Sequence, residues 1–279
     1  MSRKLIFKVA VIFLVAVVLC GFSSKEDIPY IVNFGKRFVP IDKNLYADKY
    51  ELTTKDYQLF LKEKKEAGAD CSLLIYDSTL WMPWLTYGDP VVEVYFWHPA
   101  FGGYPIVCIS HYAANEFCKW LTEKYEATPK KKFKKVVFRL PTESEFVKAA
   151  ISIYDSAKIF YPWGHNFLFD HKSGHYCCNY KRIREEYLNY NDSTKRVEYN
   201  KDLESGYLFT ARVKNYKPNP YGLYNMVGNV SEMIQEAGIA MGGDWRSTGY
   251  NVRVSSKKKY ENSGSITVGF RVYMEIIEF

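Results

Sequence analysis

Long uncharged apolar runs are scarce in this chain. The most apolar stretch, Val9–Phe22, falls short of the roughly 20 residues a membrane span needs. No glycine-rich phosphate loop, dinucleotide fingerprint or Ser-His-Asp ordering is present, so nucleotide chemistry and triad hydrolysis have no anchor. Histidine is sparse, at five residues. His98 and His111 sit beside aromatic runs, where a lone histidine reads as packed and hydrogen-bonded rather than catalytic. Cysteine is nearly as scarce: Cys20, Cys71, Cys108, Cys118, Cys177 and Cys178 show no spacing of a disulfide framework. Repeats and low-complexity linkers are lacking, which leaves a single α+β domain as the simplest account of residues 25–279.

A strong charge imbalance is also missing. The formal charge is +7, but Arg3, Lys4 and Lys8 lie in the first 24 residues, which hold no acid, and the rest carries +4. "KKKFKK" (Lys130–Lys135) and "KKK" (Lys257–Lys259) read as solvated loops, and no nucleic-acid partner is expected.

What the chain has in excess is aromatic rings, 17% of residues, with 24 Tyr and 18 Phe. Rings bury large areas while Tyr keeps a polar handle. The amino terminus is patterned too. A basic start, the apolar run and the small and polar residues of "CGFSSKED" follow the order of a secretory signal peptide over residues 1–24. Cys20 sits where a lipoprotein's acylated cysteine would sit, although Leu19 rather than a small residue precedes it. The expected location is outside the cytoplasm, in the periplasm or at the outer membrane or cell surface, with membrane association through a lipidated Cys20.

Helical spacing is clearest early. Thr53 caps a helix whose apolar face is Tyr57, Phe60 and Leu61, with Asp56 at the third helical position. A second helix starts after Ser110 and buries Ala113, Ala114, Phe117, Trp120 and Leu121; a third opens on the capping box Thr142–Glu145. "VVEVYFW", "VVFRL", "TARV" and "VGFRVYMEI" read as strands. The second half is loop-rich but too aromatic to be disordered. "HKSGHYCC" (His171–Cys178) offers possible zinc ligands, yet adjacent cysteines seldom converge on one ion, so an ordinary loop, or a disulfide from one cysteine, is the better reading.

The segments "DKYELTTKDYQLFL", "HYAANEFCKWL", "FRLPTESEFVKAA", "YPWG", "NPYGLYNMVGNVSEM", "MGGDW" and "VGFRVYMEI" stand in a recognisable order from about Phe38 to the end. Together they resemble the formylglycine-generating enzyme, or sulfatase-modifying factor, family. The resemblance implies a C-type-lectin-like sulfatase-modifying-factor fold, loop-rich with short strands and a few helices. It also implies a comparison of chemistry. In the family's oxidase, two cysteines after the glycine turn bind copper, because Cu(I) needs thiolates. Here that stretch is "GGDWRSTGYNVRV" and has no cysteine; Ser247 stands at the first position and Asn251 or Val252 at the second. No copper is expected.

The resemblance further implies calcium held by the Asn225 side chain, the Gly228 and Val230 carbonyls and the Glu232 carboxylate, with a structural role. Read from spacing alone, the same loop is an Asn-rich turn in which Glu232 pairs an arginine. A weaker second calcium site would use Asn179 and the Tyr180 and Tyr207 carbonyls, with Ser205 in place of an aspartate and Glu204 nearby. Trp245, Arg246, Ser247, Asn251 and Arg253 form either a structural cluster, with Asp244 paired to Arg246, Arg253 or Arg271, or a binding cleft. The functional expectation is an exported binding or structural component of the cell envelope, with an envelope protein or glycan as partner. The alternatives are a family enzyme acting without the cysteines and a lectin-like ligand-binding module.

Overall fold

The computed structural model describes residues 34–84, 94–129, 131–182, 188–191, 193, 195–199 and 207–279. The signal segment with Cys20, and Glu204 and Ser205 of the second calcium site, lie outside the described residues. Gly35–Phe279 form one compact unit.

Three helices are built as their caps dictate. In α1 (Thr54–Glu66) the Thr53 hydroxyl accepts from the Asp56 N–H, and Tyr57, Phe60 and Leu61 are buried. In α2 (His111–Glu126) the Ser110 hydroxyl accepts from Ala113 N–H, and all five expected face residues are buried. In α3 (Glu143–Ile151) the Thr142–Glu145 box is reciprocal. Each cap satisfies amides that would otherwise lack partners, worth about 0.5–2 kcal/mol. Rings then weld α1 to α2. Phe60 meets Phe117 at 5.4 Å and Trp120 at 5.5 Å, and Phe117 reaches Phe270 at 5.7 Å.

The first sheet joins β1 (Phe38–Pro40), β2 (Leu45–Asp48), β12 (Tyr273–Glu278) and β3 (Lys135–Arg139), all antiparallel, with β12 between β2 and β3. Arg139 fastens this sheet to α3. Its guanidinium makes two 2.7 Å bonds to Glu145 and one of 2.8 Å to Glu275. β4 (Phe169–Asp170) pairs with β5 (His175–Tyr176), and β6 (Leu188–Asn191) with β7 (Arg196–Tyr199). The second sheet runs β10 (Lys257–Lys259), β9 (Ile239–Met241), β8 (Ser231–Met233) and β11 (Val268–Gly269), with β11 parallel to β8.

Several sequence expectations change in three dimensions. "TARV" is not a strand. The Asn229 side chain takes the place of a partner strand: its Oδ1 accepts from Ala211 N–H at 2.6 Å and its Nδ2 donates to the Ala211 carbonyl at 3.2 Å. In "VVEVYFW" the described residues Tyr95–Trp97 form a turn, because Trp97 and His98 N–H both bond back to the Val94 carbonyl. "VGFRVYMEI" splits into β11 and β12, since the carbonyls of Phe270 and Val272 accept from Leu52 and Asp48 N–H. Lys257–Lys259 is an edge strand rather than a loop, with lysines protecting the sheet edge as P-rich or charged edges do elsewhere. "HKSGHYCC" lies on the β4–β5 hairpin with both histidines exposed. The five described cysteines are free thiols, so the expected disulfide is not formed among them.

Candidate functional site

The loop from Asn225 to Val230 owes its path to three residues in the left-handed region: Asn225 (φ 51°), Gly228 (φ 74°) and Asn229 (φ 60°). Asparagine tolerates this conformation better than other side chains do. Gly228 is required for a second reason: a Cβ there would stand 2.6 Å from the Asn179 carbonyl oxygen. The Asn229 N–H bonds that same oxygen at 2.8 Å.

This path aims both asparagine amides at Glu51. Asn225 Nδ2 donates to Glu51 at 2.9 Å, and Asn229 Nδ2 donates to both carboxylate oxygens at 3.0 Å. Beside it, Arg271 forks onto Glu232, Nη2 to Oε1 at 2.6 Å and Nε to Oε2 at 3.0 Å. The guanidinium also donates to the Asp48 carbonyl at 2.9 Å and the Tyr224 carbonyl at 2.6 Å. Glu51, Glu232 and Arg271 are all fully buried. Glu232 thus takes the guanidinium directly while Glu51 is held by amides nearby, both out of water, and their protonation reflects it. Burial, with Glu232 adding repulsion, pushes the Glu51 carboxyl up to about 8 against the pull of Arg271 and the two asparagines. Burial also raises Glu232, while Arg271 opposes the rise. Burial works against the Arg271 charge, but the Glu232 pair outweighs it and keeps the guanidinium protonated.

Two of the four proposed calcium ligands, the Asn225 and Glu232 side chains, belong to this network. Asn225 Oδ1 is buried and has no hydrogen-bond partner, which suits a hard cation. Glu232 is already charge-paired, so a cation would share that carboxylate with Arg271. Of the weaker set, Asn179 is engaged in holding the loop, donating from Nδ2 to the Phe209 carbonyl at 2.8 Å and to Asn229 Oδ1 at 3.3 Å. Tyr180 is buried, whereas Tyr207 is exposed at a separate cleft beside Tyr216.

The second cluster grows from the glycine turn. Gly242 and Gly243 take φ 87° and 71°, and a Cβ on Gly243 would meet the Asn251 carbonyl oxygen at 2.2 Å. Only glycine lets the Gly243 and Asn251 backbones touch. Both residues line a cavity of about 480 Å³, together with Ser247, Tyr250, Arg253, Ser255, Ser256, Lys257 and Lys258. The structure brings Ser247, Asn251 and Arg253 to this pocket and leaves Trp245 and Arg246 off its wall. Trp245 donates from its indole N–H to the Ile266 carbonyl at 3.3 Å and stacks on Trp81, with Arg246 over its ring at 5.8 Å. Asp244 forms no ion pair with the three arginines named from the sequence, although its carboxylate accepts from the Arg246 backbone N–H at 2.9 Å. Its buried carboxylate takes Lys258 at 2.7 Å, because β10 pairs with β9 and turns that lysine inward.

Sulfur stands elsewhere. Cys178 is buried, and its Sγ would lie 3.2 Å from a Cβ on Gly228. Cys177 lines a larger, separate cleft of about 1130 Å³, walled by rings such as Trp163, Phe167, Tyr176 and Tyr216. The two adjacent thiols therefore diverge. Glu51 has little sequence signal beyond being an acid between Tyr50 and Leu52 in a stretch that otherwise reads as core.

Residues 33–276 match the family described as sulfatase-modifying factor enzyme 1-like domain. The chain is 36% identical over 110 residues to the formylglycine-generating enzyme of Thermomonospora curvata, covering 39% of this chain and 30% of that protein. It is 24% identical over 270 residues to the formylglycine-generating enzyme of Mus musculus, covering 87% of this chain and 61% of that one. The chain thus spans about a third to three-fifths of the length of these relatives. Among solved structures, PvdO from Pseudomonas aeruginosa has a TM-score of 0.51 at 17% identity, over 83% of this chain and 80% of that one. Treponema denticola variable protein 1 has a TM-score of 0.51 at 16% identity, over 86% and 91%. A match over nearly the whole described unit, on the mixed α/β architecture with small sheets, places the chain in the sulfatase-modifying factor family.

Proposed function

We propose that this chain is an exported, sulfatase-modifying-factor-fold binding protein of the cell envelope that does not carry out copper–thiolate oxidation. The observation that carries the reading is the wall of the 480 Å³ pocket, where Ser247 and Asn251 stand and no cysteine is among the described lining residues. A hydroxyl and an amide cannot replace two thiolates on Cu(I). The pocket is the ligand contact, and an envelope protein or a glycan is the partner. Export and acylation of Cys20 rest on the patterned amino terminus.

The decisive experiment loads purified protein with copper and supplies a cysteine-containing sulfatase peptide. The expected result is no formylglycine above the copper-free control by mass spectrometry. Stoichiometric copper with turnover would overturn the reading.

Calcium is the proposed structural ion, with Asn225 Oδ1 as the supporting observation. Millimolar calcium is expected to raise Tm, and chelation to reverse the rise. A ligand at one hundred times its Kd stabilises by about 2.7 kcal/mol. Asn225→Leu should abolish the calcium response itself; an unchanged response in that variant would exclude this residue as a ligand.

A further inference from the structure

Within the pocket the cations are not equivalent. Lys258 is neutralised by Asp244 at 2.7 Å and also donates to the Thr267 hydroxyl at 2.6 Å. Lys257 pairs with Glu143 at 2.7 Å. Arg253 differs from both. No carboxylate among the described residues lies within salt-bridge distance of it, and its Nε is buried with no hydrogen-bond partner. Its positive charge acts on nearby Tyr161, opposing the rise that burial imposes on that phenol, whose hydroxyl donates to the Gly249 carbonyl at 3.2 Å.

The guanidinium is nonetheless held firmly. Its Cζ lies 4.7 Å from the Phe160 ring centroid and 4.2 Å from that of Tyr250. The Arg253 N–H donates to the Ser256 hydroxyl at 3.1 Å, and Val254 N–H bonds the Phe160 carbonyl at 3.0 Å, fixing the backbone on both sides. A planar cation clamped by rings keeps its geometry and loses little further entropy when it forks onto an anion. The same pocket is lined by Ser247, Tyr250, Ser255, Ser256 and Asn251, whose hydroxyls and amide are able to donate.

We infer that this pocket binds an oxyanionic group, a carboxylate, sulfate or phosphate on the ligand, with Arg253 as its counter-charge and the serine hydroxyls as flanking donors. The inference rests on the reading of the pocket as a binding site and names the chemistry of what enters it. The charge left without a carboxylate is the reason the ligand is anionic. The hydroxyl-rich lining is the reason its oxygens, rather than an apolar body, face the wall.

The test is titration of the full-length chain with acetate, glucuronate, sulfate and inorganic phosphate, at constant ionic strength set with chloride, read by calorimetry and by Tm. At least one oxyanion is expected to bind saturably where chloride does not, and the strongest of the four identifies the source. Arg253→Gln should weaken it by about 10- to 100-fold, the range for a charged hydrogen bond. Arg253→Lys, which keeps the charge but loses the fork, should give an intermediate loss and covers the case in which Arg253→Gln does not fold. Lys172→Gln, at the other cleft, should leave affinity unchanged. Absence of saturable binding by all four anions, or equal affinity in wild type and Arg253→Lys, would overturn the inference. A negative result here together with an inactive copper assay sinks only the oxyanion; copper-dependent turnover sinks the reading of the pocket itself.

Discussion

Arg271→Met is expected to destabilise the protein by about 3–5 kcal/mol, the range for removing one partner of a buried ion pair. The side chain is fully buried, and its loss strands the equally buried Glu232 carboxylate. It also leaves the Asp48 and Tyr224 carbonyls without the guanidinium donors that now reach them at 2.9 and 2.6 Å. Urea denaturation gives the measurement, with an unchanged m value showing that stability rather than compactness moved. Adding Glu232→Gln to Arg271→Met should recover part of the loss, because the stranded charge is then gone. If the double variant is less stable than the single one by the full cost of Glu232→Gln alone, the two residues are not coupled and the network is misread.

The second large effect is one of pH. Folded Glu51 keeps its proton until about pH 8, whereas an ordinary glutamate releases it near 4.5. Between those values the folded state binds more protons than the unfolded chain, so stability falls as pH rises. Below the lower value both states are protonated and the penalty is absent; above the upper value it is complete. Each unit is worth about 1.4 kcal/mol, which puts the whole fall on the order of 4–5 kcal/mol. Glu51→Gln, which keeps an acceptor for Asn225 and Asn229, should flatten the curve and stabilise the protein most at high pH. Denaturation at several pH values with chelator present isolates the Glu51 contribution as wild type minus variant. Identical slopes for the two proteins between pH 5 and 8 would show that Glu51 is not the group responsible.

These two residues were not equally visible beforehand. Arg271 belongs to a segment that carries the family resemblance, and an arginine partner for Glu232 was already one reading of the turn. Glu51 had no such cue, since a lone acid within an extended segment is ordinarily solvated. Its importance arises because two asparagines with left-handed backbones, 174 and 178 positions along the chain, deliver their amides to it. No local pattern encodes a contact of that length.

The helices were legible for the opposite reason. A cap and an apolar stripe act within one or two turns, so Thr53, Ser110 and Thr142 announced α1, α2 and α3 without help from the rest of the chain. The absence of thiols after the glycine turn was equally plain, because it is a matter of residue identity. Pairing was not. Whether Lys258 or an arginine meets Asp244 depends on β10 docking at the edge of β9, and "TARV" lost its strand to the Asn229 side chain. Local order, the family and the missing sulfur were thus set by residues close in sequence. The partners of Glu51 and Asp244 were chosen only when separate segments were packed together, since burial is what makes an unpaired charge costly enough to select its neighbour.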